Sequence, residues 1–298
     1  MRAHAIDRLR AGGIEQPGVE VGWMLEEASG LDAAEQVAEA GAPATARAAN
    51  ALAELVDRRL LGEPLQYVLG SWSFSGIELL VDRRVLIPRP ETEVVAQIAI
   101  DEVARVGERV GRHDPWGAGL TAYAVADLGT GSGALALALA FALPEAEVWA
   151  TDIDPEALAV ARANIAGSGS PSVRVRIAAG SWFDALPAEL RGRLLLVVAN
   201  PPYLSEAELS GLDRAVADWE PTGALVSGPT GLEAFAAIVR DAPEWLDPRG
   251  ALVLELAPGQ VEPVAGLARA AGLPVVEVHQ DLAGRDRVLV ARRADPAG

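Results

Sequence analysis

At 298 residues, half of them hydrophobic, the chain has apolar material for one large or two moderate cores, which excludes disorder as its main state. A formal net charge of -17 excludes a broadly cationic grip on a phosphate backbone, and the lack of cysteine excludes disulfides, thiol nucleophiles and cysteine-bound zinc. All 25 basic residues are arginine, a bias that reads as genome composition, although Arg83, Arg84 and Arg89 lie close enough together for a local basic patch. Residues 1 to about 70 predict short helices, with apolar positions at three- and four-residue spacing in Val21, Met24, Leu25 and Ala28 and again in Ala49, Leu52, Leu55 and Val56. Gly12-Gly13, Pro17 and Gly41-Ala42-Pro43 punctuate them, and the absence of any chemical motif suits a segment that binds or orients a partner. Tyr67 to Gly70, Trp72 to Phe74, Leu79 to Val81 and Val85 to Ile87 predict short β-type runs, a hairpin bridging two domains. Pro88-Arg89-Pro90 closes that region, and Glu91-Thr92-Glu93 leads into an apolar helix through Ile100, where acidic side chains suit the helix dipole. Gly107, Gly111, Pro115, Gly117 and Gly119 predict a loop over residues 106–120.

Strand and helix then alternate. Ala124 to Leu128, Glu147 to Thr151, Val173 to Ile177, Leu194 to Ala199, Ala251 to Leu256, Val275 to His279 and Val288 to Ala291 predict strands. Ala134 to Ala142 and Pro155 to Ala166 predict helices, the second capped by Asp154. Such alternation implies an α/β fold with a doubly wound, mostly parallel sheet. His4, His113 and His279 share no ligand spacing, so no metal site is expected. No charged-then-apolar leader and no bilayer-length apolar run is present, which points to the cytoplasm and away from a membrane.

Asp127-Leu128-Gly129-Thr130-Gly131-Ser132-Gly133 follows a strand and precedes a helix, so its glycines let backbone approach a ligand at the sheet edge. The spacing lacks the helix-packing glycine of the dinucleotide fingerprint, and glycine loops of this kind also occur without ligands. Asp152 ends the next strand about twenty residues on, where a carboxylate accepts from both hydroxyls of a ribose. The pair indicates a nucleoside-containing cofactor and leaves NAD and S-adenosyl-L-methionine both open. Asp127 either reaches the cofactor or satisfies loop N–H groups. Trp182, after the third strand, either packs on adenine or fills the core.

The apolar run Leu194 to Ala199 stops at Asn200-Pro201-Pro202-Tyr203. An amide nitrogen is a poor nucleophile because its lone pair is delocalised, so methyl transfer to it depends on orientation. The Asn200 side-chain oxygen and the Pro201 carbonyl would accept the two N–H hydrogens of a planar NH₂ and raise electron density on its nitrogen for in-line displacement. Pro201 and Pro202 stiffen the turn, and Tyr203 packs on the flat target group. A rigid strand-end turn with a capping Asn is the competing reading. The order of loop, acid and Asn-Pro-Pro-Tyr is typical of class I amino methyltransferases, which favours S-adenosyl-L-methionine over NAD.

The chain resembles the peptide-chain release factor glutamine methyltransferases (PrmC or HemK). The resemblance rests on Gly62 to Tyr67, Val85 to Glu93, Asp127 to Gly133, Asn200 to Tyr203, Glu220-Pro221 with Ala224-Leu225, and Leu254-Glu255 with Gly259-Gln260. It implies a class I, Rossmann-like methyltransferase domain (residues 95–298) behind a small N-terminal helical substrate-recognition domain (1–72) and a β-hairpin linker (73–94). It also implies methylation of the N5 of the glutamine in the Gly-Gly-Gln loop of release factors; a monomer is expected, and the acidic charge speaks against direct nucleic-acid contact. Cofactor contacts would come from Asp127, Gly129, Thr130, Gly131, Ser132, Gly133, Asp152, Trp182 and Asn200. Glutamine contacts would come from Asn200, Pro201, Pro202 and Tyr203, with Asn200, Pro201 and Tyr203 closest to the chemistry. Ser181 departs from the acidic residue more usual before that tryptophan, and the first sixty residues match only in helical character and length. Competing expectations are a ribosomal-protein glutamine methyltransferase, an adenine-N6 nucleic-acid methyltransferase, and a non-catalytic cofactor-binding module that docks a translation factor.

Overall fold

The structure, a computed structural model, describes residues 1–113 and 123–294. Five helices come first: α1 (Arg2–Ala11), α2 (Pro17–Ser29), α3 (Ala33–Ala38), α4 (Ala46–Leu60) and α5 (Leu65–Leu69). Each start is marked locally where the chain can mark it. Pro17 opens α2, Asp32 and Glu35 form a reciprocal capping box on α3, and the Thr45 hydroxyl accepts from Ala48 N–H on α4. The apolar spacing works as expected, because Val21, Met24 and Leu25 meet Leu9, Leu52, Val56, Leu65 and Val68 in one buried cluster. Each such side chain stabilises the fold by about 1.5–3 kcal/mol.

Tyr67 to Leu69 corrects an expectation, since these residues form helix α5 and not a strand. Pro64 precedes this single turn and Gly70 ends it in the left-handed region, while burial of Leu65, Tyr67 and Val68 overrides their β preference. The hairpin is confined to β1 (Ser71–Phe74) and β2 (Ile77–Leu80). Ser75 and Gly76, at φ 50° and 76°, supply the two left-handed residues that a two-residue turn between right-twisted strands requires. Val85 to Ile87 is irregular chain with Val85 and Ile87 buried, held by the Tyr67 hydroxyl, which donates to the Val85 carbonyl at 2.5 Å.

Helix α6 (Pro90–His113) also runs further than expected and replaces the first part of the predicted loop; residues 114–120 of that loop lie outside the described residues. Two internal glycines cost a helix about 1 kcal/mol each. Val95, Ala99, Val103 and Val106, all buried, continue one stripe against the sheet and outweigh that cost.

The sheet is built from β3 (Tyr123–Leu128), β4 (Ala146–Asp152), β5 (Val175–Ala179), β6 (Leu194–Ala199), β9 (Leu246–Glu255), β10 (Val275–Gln280) and β11 (Asp286–Arg292). Its order is β10-β11-β9-β6-β3-β4-β5, and only β11 runs against the others. Helices α7 (Ala134–Ala142) and α8 (Pro155–Gly167) join α6 on one face, around Val125, Val148 and Val253. Helices α11 (Glu233–Trp245) and α12 (Val261–Ala270) cover the other, around Ala126, Leu128, Val197 and Leu254. Alternate residues of one strand therefore enter opposite cores, and the doubly wound α/β expectation holds. Between β6 and α11 lie the short elements β7 (Leu204–Ser205), α9 (Arg214–Ala217), α10 (Thr222–Leu225) and β8 (Val226–Gly228). At the β11 end, Arg292 donates to both Glu102 carboxylate oxygens at 2.6 and 2.7 Å and to Glu277 at 2.7 and 2.8 Å, which ties α6 to the sheet.

Candidate active site

From β3 the chain moves one way to β4 and β5 and the other way to β6, so the strand order reverses between β3 and β6. Open α/β sheets bind ligands in the crevice this leaves at their carboxyl edge. Residues 127–133 lie there. The Thr151 carbonyl accepts from both Gly129 and Thr130 N–H at 2.8 Å, and Asp152 Oδ2 accepts from Gly131 N–H at 2.9 Å. Asp152 Oδ1 accepts from Asp154 N–H at 2.9 Å. A carboxylate offers about four lone-pair positions, so Asp152 braces the loop and keeps capacity for two hydroxyl donors. Burial raises its pKa above the usual carboxylate range. Gly133 faces Ala161 of α8 and takes φ 85°, a left-handed conformation that strains any residue bearing a Cβ. Asn164 then fastens the loop to the hairpin: its Nδ2 donates to the Ser132 and Leu80 carbonyls at 2.8 and 3.0 Å, and its Oδ1 accepts from Leu80 N–H at 2.7 Å.

Asp127 does only half of its work inside the loop. Oδ2 accepts from the Thr130 hydroxyl at 2.6 Å and from Ala136 N–H at 3.1 Å, whereas the fully buried Oδ1 has no partner among the described residues. Burial pushes this carboxyl up to about 7. An orphaned carboxylate oxygen of that kind fits a ligand that brings positive charge to it. The Trp182 ring lies over the loop, 3.4 Å from where a Cβ on Gly129 would sit, with its own backbone at φ 47°. A bulky residue held in that sparsely populated region is over-determined by its surroundings, here the core shared by Phe183 and Trp245.

One strand away, Asp127 pairs with Val198, which places Asn200 two residues further toward the same edge. Ala199 pairs with Leu254, so the next step sets Asn200 beside Glu255. Thr92, in the first turn of α6, joins the two: Asn200 Nδ2 donates to Thr92 Oγ1 at 3.2 Å, and the Thr92 hydroxyl donates to Glu255 Oε2 at 2.6 Å. Thr92 and Glu255 are buried, and burial pushes the Glu255 carboxyl up to about 7 against the Thr92 hydrogen bond and the attraction of Arg287. Pro201 is buried as well. The Tyr203 carbonyl accepts from Gln260 Nε2 at 2.7 Å, and a Cβ on Gly231 would stand 2.7 Å from that carbonyl, so the turn is clamped from both sides. Its phenol is shifted upward, mainly by burial.

Comparison with known proteins shows the family. Residues 1–70 match the model of the PrmC N-terminal domain, and residues 118–216 match the methyltransferase small domain. The release factor glutamine methyltransferase of Moorella thermoacetica is 40% identical over 98% of this chain and 96% of its own length. That of Geobacter sulfurreducens is 38% identical over 94% and 91%. The chain belongs to the release factor glutamine methyltransferase family. It is an S-adenosyl-L-methionine-dependent methyltransferase. Among solved structures, the human METTL16 catalytic domain in complex with an RNA hairpin superposes with a TM-score of 0.57 at 14% identity, covering 82% of this chain and 84% of that one. Identity this low shows a shared fold alone.

In this methyltransferase, the expected loop, Asp152, Trp182 and Asn200 to Tyr203 share one edge. Two of the three arginines close enough for a local basic patch are offset by carboxylates, Arg84 by Asp82 and Arg89 by buried Glu220 at 2.5 Å, while Arg83 lies 5.4 Å over the Trp219 ring. Thr92, which the sequence marks as part of a helix start, and Glu255 and Gln260, which belong to the matching segments, each make a contact at the site. A carboxylate closing an otherwise apolar strand, Ala251 to Leu254, was the signal available for Glu255.

Proposed function

We infer that the protein transfers the sulfonium methyl of S-adenosyl-L-methionine to the side-chain N5 of the glutamine in the Gly-Gly-Gln loop of peptide-chain release factors. The observation that carries this reading is the tethered Asn200 amide, fixed by its own nitrogen beside a loop that holds a carboxylate oxygen with no partner among the described residues. When bound, the cofactor would supply an electrophilic methyl on a positively charged sulfur; the sulfur would keep the electron pair of the broken S–C bond, and the methylated nitrogen would release one proton to solvent. Everything else falls to the chain. Asn200 Oδ1 and the Pro201 carbonyl accept the two hydrogens of the glutamine NH₂, Pro202 stiffens the turn, and Tyr203 covers the flat amide. Asp127 would take the cationic amino-acid end of the cofactor, Asp152 its ribose hydroxyls, and the loop from Gly129 through Thr130, Gly131 and Ser132 to Gly133 its close approach. Ile153, 72% exposed between two aspartates, and Trp182 offer apolar surface for adenine.

In this reading residues 1–72 engage the release factor, 73–94 join the two parts, and 95–298 carry the chemistry, in a cytoplasmic monomer. Among the described residues no helix is long and apolar enough to cross a membrane. An adenine-N6 reading would use the same clamp, but the net charge of -17 and the paired arginines of residues 83–89 oppose it. Offering the protein a release factor, a ribosomal protein and an RNA hairpin together, with labelled cofactor, separates the readings: label enters the release factor alone, and label in the RNA or ribosomal protein would refute it.

The Asp127 reading also predicts a pH dependence. Its free-state pKa near 7 would be lowered by a bound cation, so binding below that pH must displace a proton. Affinity for S-adenosylhomocysteine, which keeps the cationic amino group, is expected to fall about tenfold between pH 8 and pH 6. Calorimetry at the two pH values checks this, and Asp127→Asn should flatten the difference.

A further inference from the structure

The two ends of an asparagine amide are nearly the same shape and opposite in hydrogen bonding, so the Asn-Pro-Pro-Tyr motif does not by itself determine which end meets the substrate. We propose that Thr92 and Glu255 are positioning residues that set the polarity of Asn200: a one-way hydrogen-bond chain turns Nδ2 inward and Oδ1 toward the glutamine. This inference rests on the reading of Asn200 as the glutamine clamp.

The direction follows from counting protons. An ionised Glu255 only accepts, so the single Thr92 hydroxyl proton must go to it, at 2.6 Å. Thr92 Oγ1 then has only lone pairs left for Asn200, and they accept from Nδ2 at 3.2 Å. A protonated Glu255 reverses the chain. It donates to Thr92, the hydroxyl proton swings to Asn200, and the amide is driven to turn over. Nδ2 would then face the substrate NH₂, donor against donor, with no acceptor for the hydrogens that must be held.

The two inner links, Thr92 and Glu255, are both buried away from water. The charged and titratable groups around Glu255 are Glu91 in the first turn of α6, Arg89 before it, Arg287 on β11 and Tyr203 beyond β6. Arg89 and Arg287 favour the ionised form and Glu91 opposes it, while burial, the largest influence, holds the carboxyl at about 7. The polarity of Asn200 therefore changes hands near neutral pH.

The test uses the full chain at saturating cofactor with a release factor as acceptor. Thr92→Val keeps the shape and removes the hydroxyl; kcat should fall tenfold or more, with the Kd for S-adenosylhomocysteine within about twofold of wild type. Thr92→Ser should recover most of the loss. The acid limb of the wild-type kcat profile, centred near pH 7, should be absent in Glu255→Gln. Wild-type turnover in Thr92→Val, equal damage from Val and Ser, or an unchanged acid limb in Glu255→Gln would each overturn the proposal. A second measurement needs no turnover: the Asn200 side-chain amide signals of the substrate-free protein should titrate near pH 7 and cease to do so in Thr92→Val. A wild-type protein that methylates no release factor would defeat the glutamine reading, and the amide titration would still decide the polarity chain.

Discussion

Asn200→Ala is expected to lower kcat by about 10²–10³-fold while leaving the fold and cofactor affinity in place. The magnitude is that of removing one preorganised group aimed at the reacting centre, because such a group acts only when the nitrogen is being held for displacement. The fold should survive because the substitution breaks only the 3.2 Å bond to Thr92, whose hydroxyl keeps its stronger bond to Glu255. Cofactor affinity should survive because the Gly129–Gly133 loop is braced by Thr151, Asp152 and Asn164, none of which uses Asn200. Single-turnover kinetics with a release factor, together with calorimetry on S-adenosylhomocysteine, measures both halves. Near-wild-type turnover would remove Asn200 from the chemistry, and lost cofactor binding would make it a cofactor contact first.

Arg292→Leu is expected to cost about 3 kcal/mol and to lower Tm by roughly 6–12 °C. Arg292 is buried and meets Glu102 through two bonds. Replacing it leaves the Glu102 carboxylate, 8% exposed, with Arg105 at 2.9 Å as its remaining side-chain ion pair described here. Removing one partner of a buried pair costs far more than the pair itself contributes, because the other charge stays desolvated. The double substitution Glu102→Leu with Arg292→Leu should therefore regain most of the loss. Half-exposed Glu277 remains in contact with water. Thermal unfolding of the single and double variants measures the coupling. The site shares in this effect, since the helix held by Glu102 carries Thr92 in its first turn.

What could be read before the structure was contiguous in sequence. The 127–133 loop, Asp152 and Asn200 to Tyr203 each declare themselves within a few residues, and the alternation of strands and helices brings them to one edge. Glycine spacing misled in α6, where buried valines outweigh two helix-weakening glycines. Tyr67 to Leu69 misled because its β-type residues are buried in a helical turn. The Asn200, Thr92 and Glu255 chain was out of reach for a different reason. Thr92 and Glu255 are separated by 163 positions and meet only because α6 begins over the carboxyl ends of β6 and β9. The motif names the amide; the tertiary fold decides which way it points.

Mass spectrometry of a release factor incubated with the protein and S-adenosyl-L-methionine tests the central claim most directly. The tryptic peptide containing the Gly-Gly-Gln loop should gain the mass of one methylene, and fragmentation should place it on the glutamine side chain. A loop peptide that stays unmodified while other residues, other proteins or RNA take up the methyl group would contradict it.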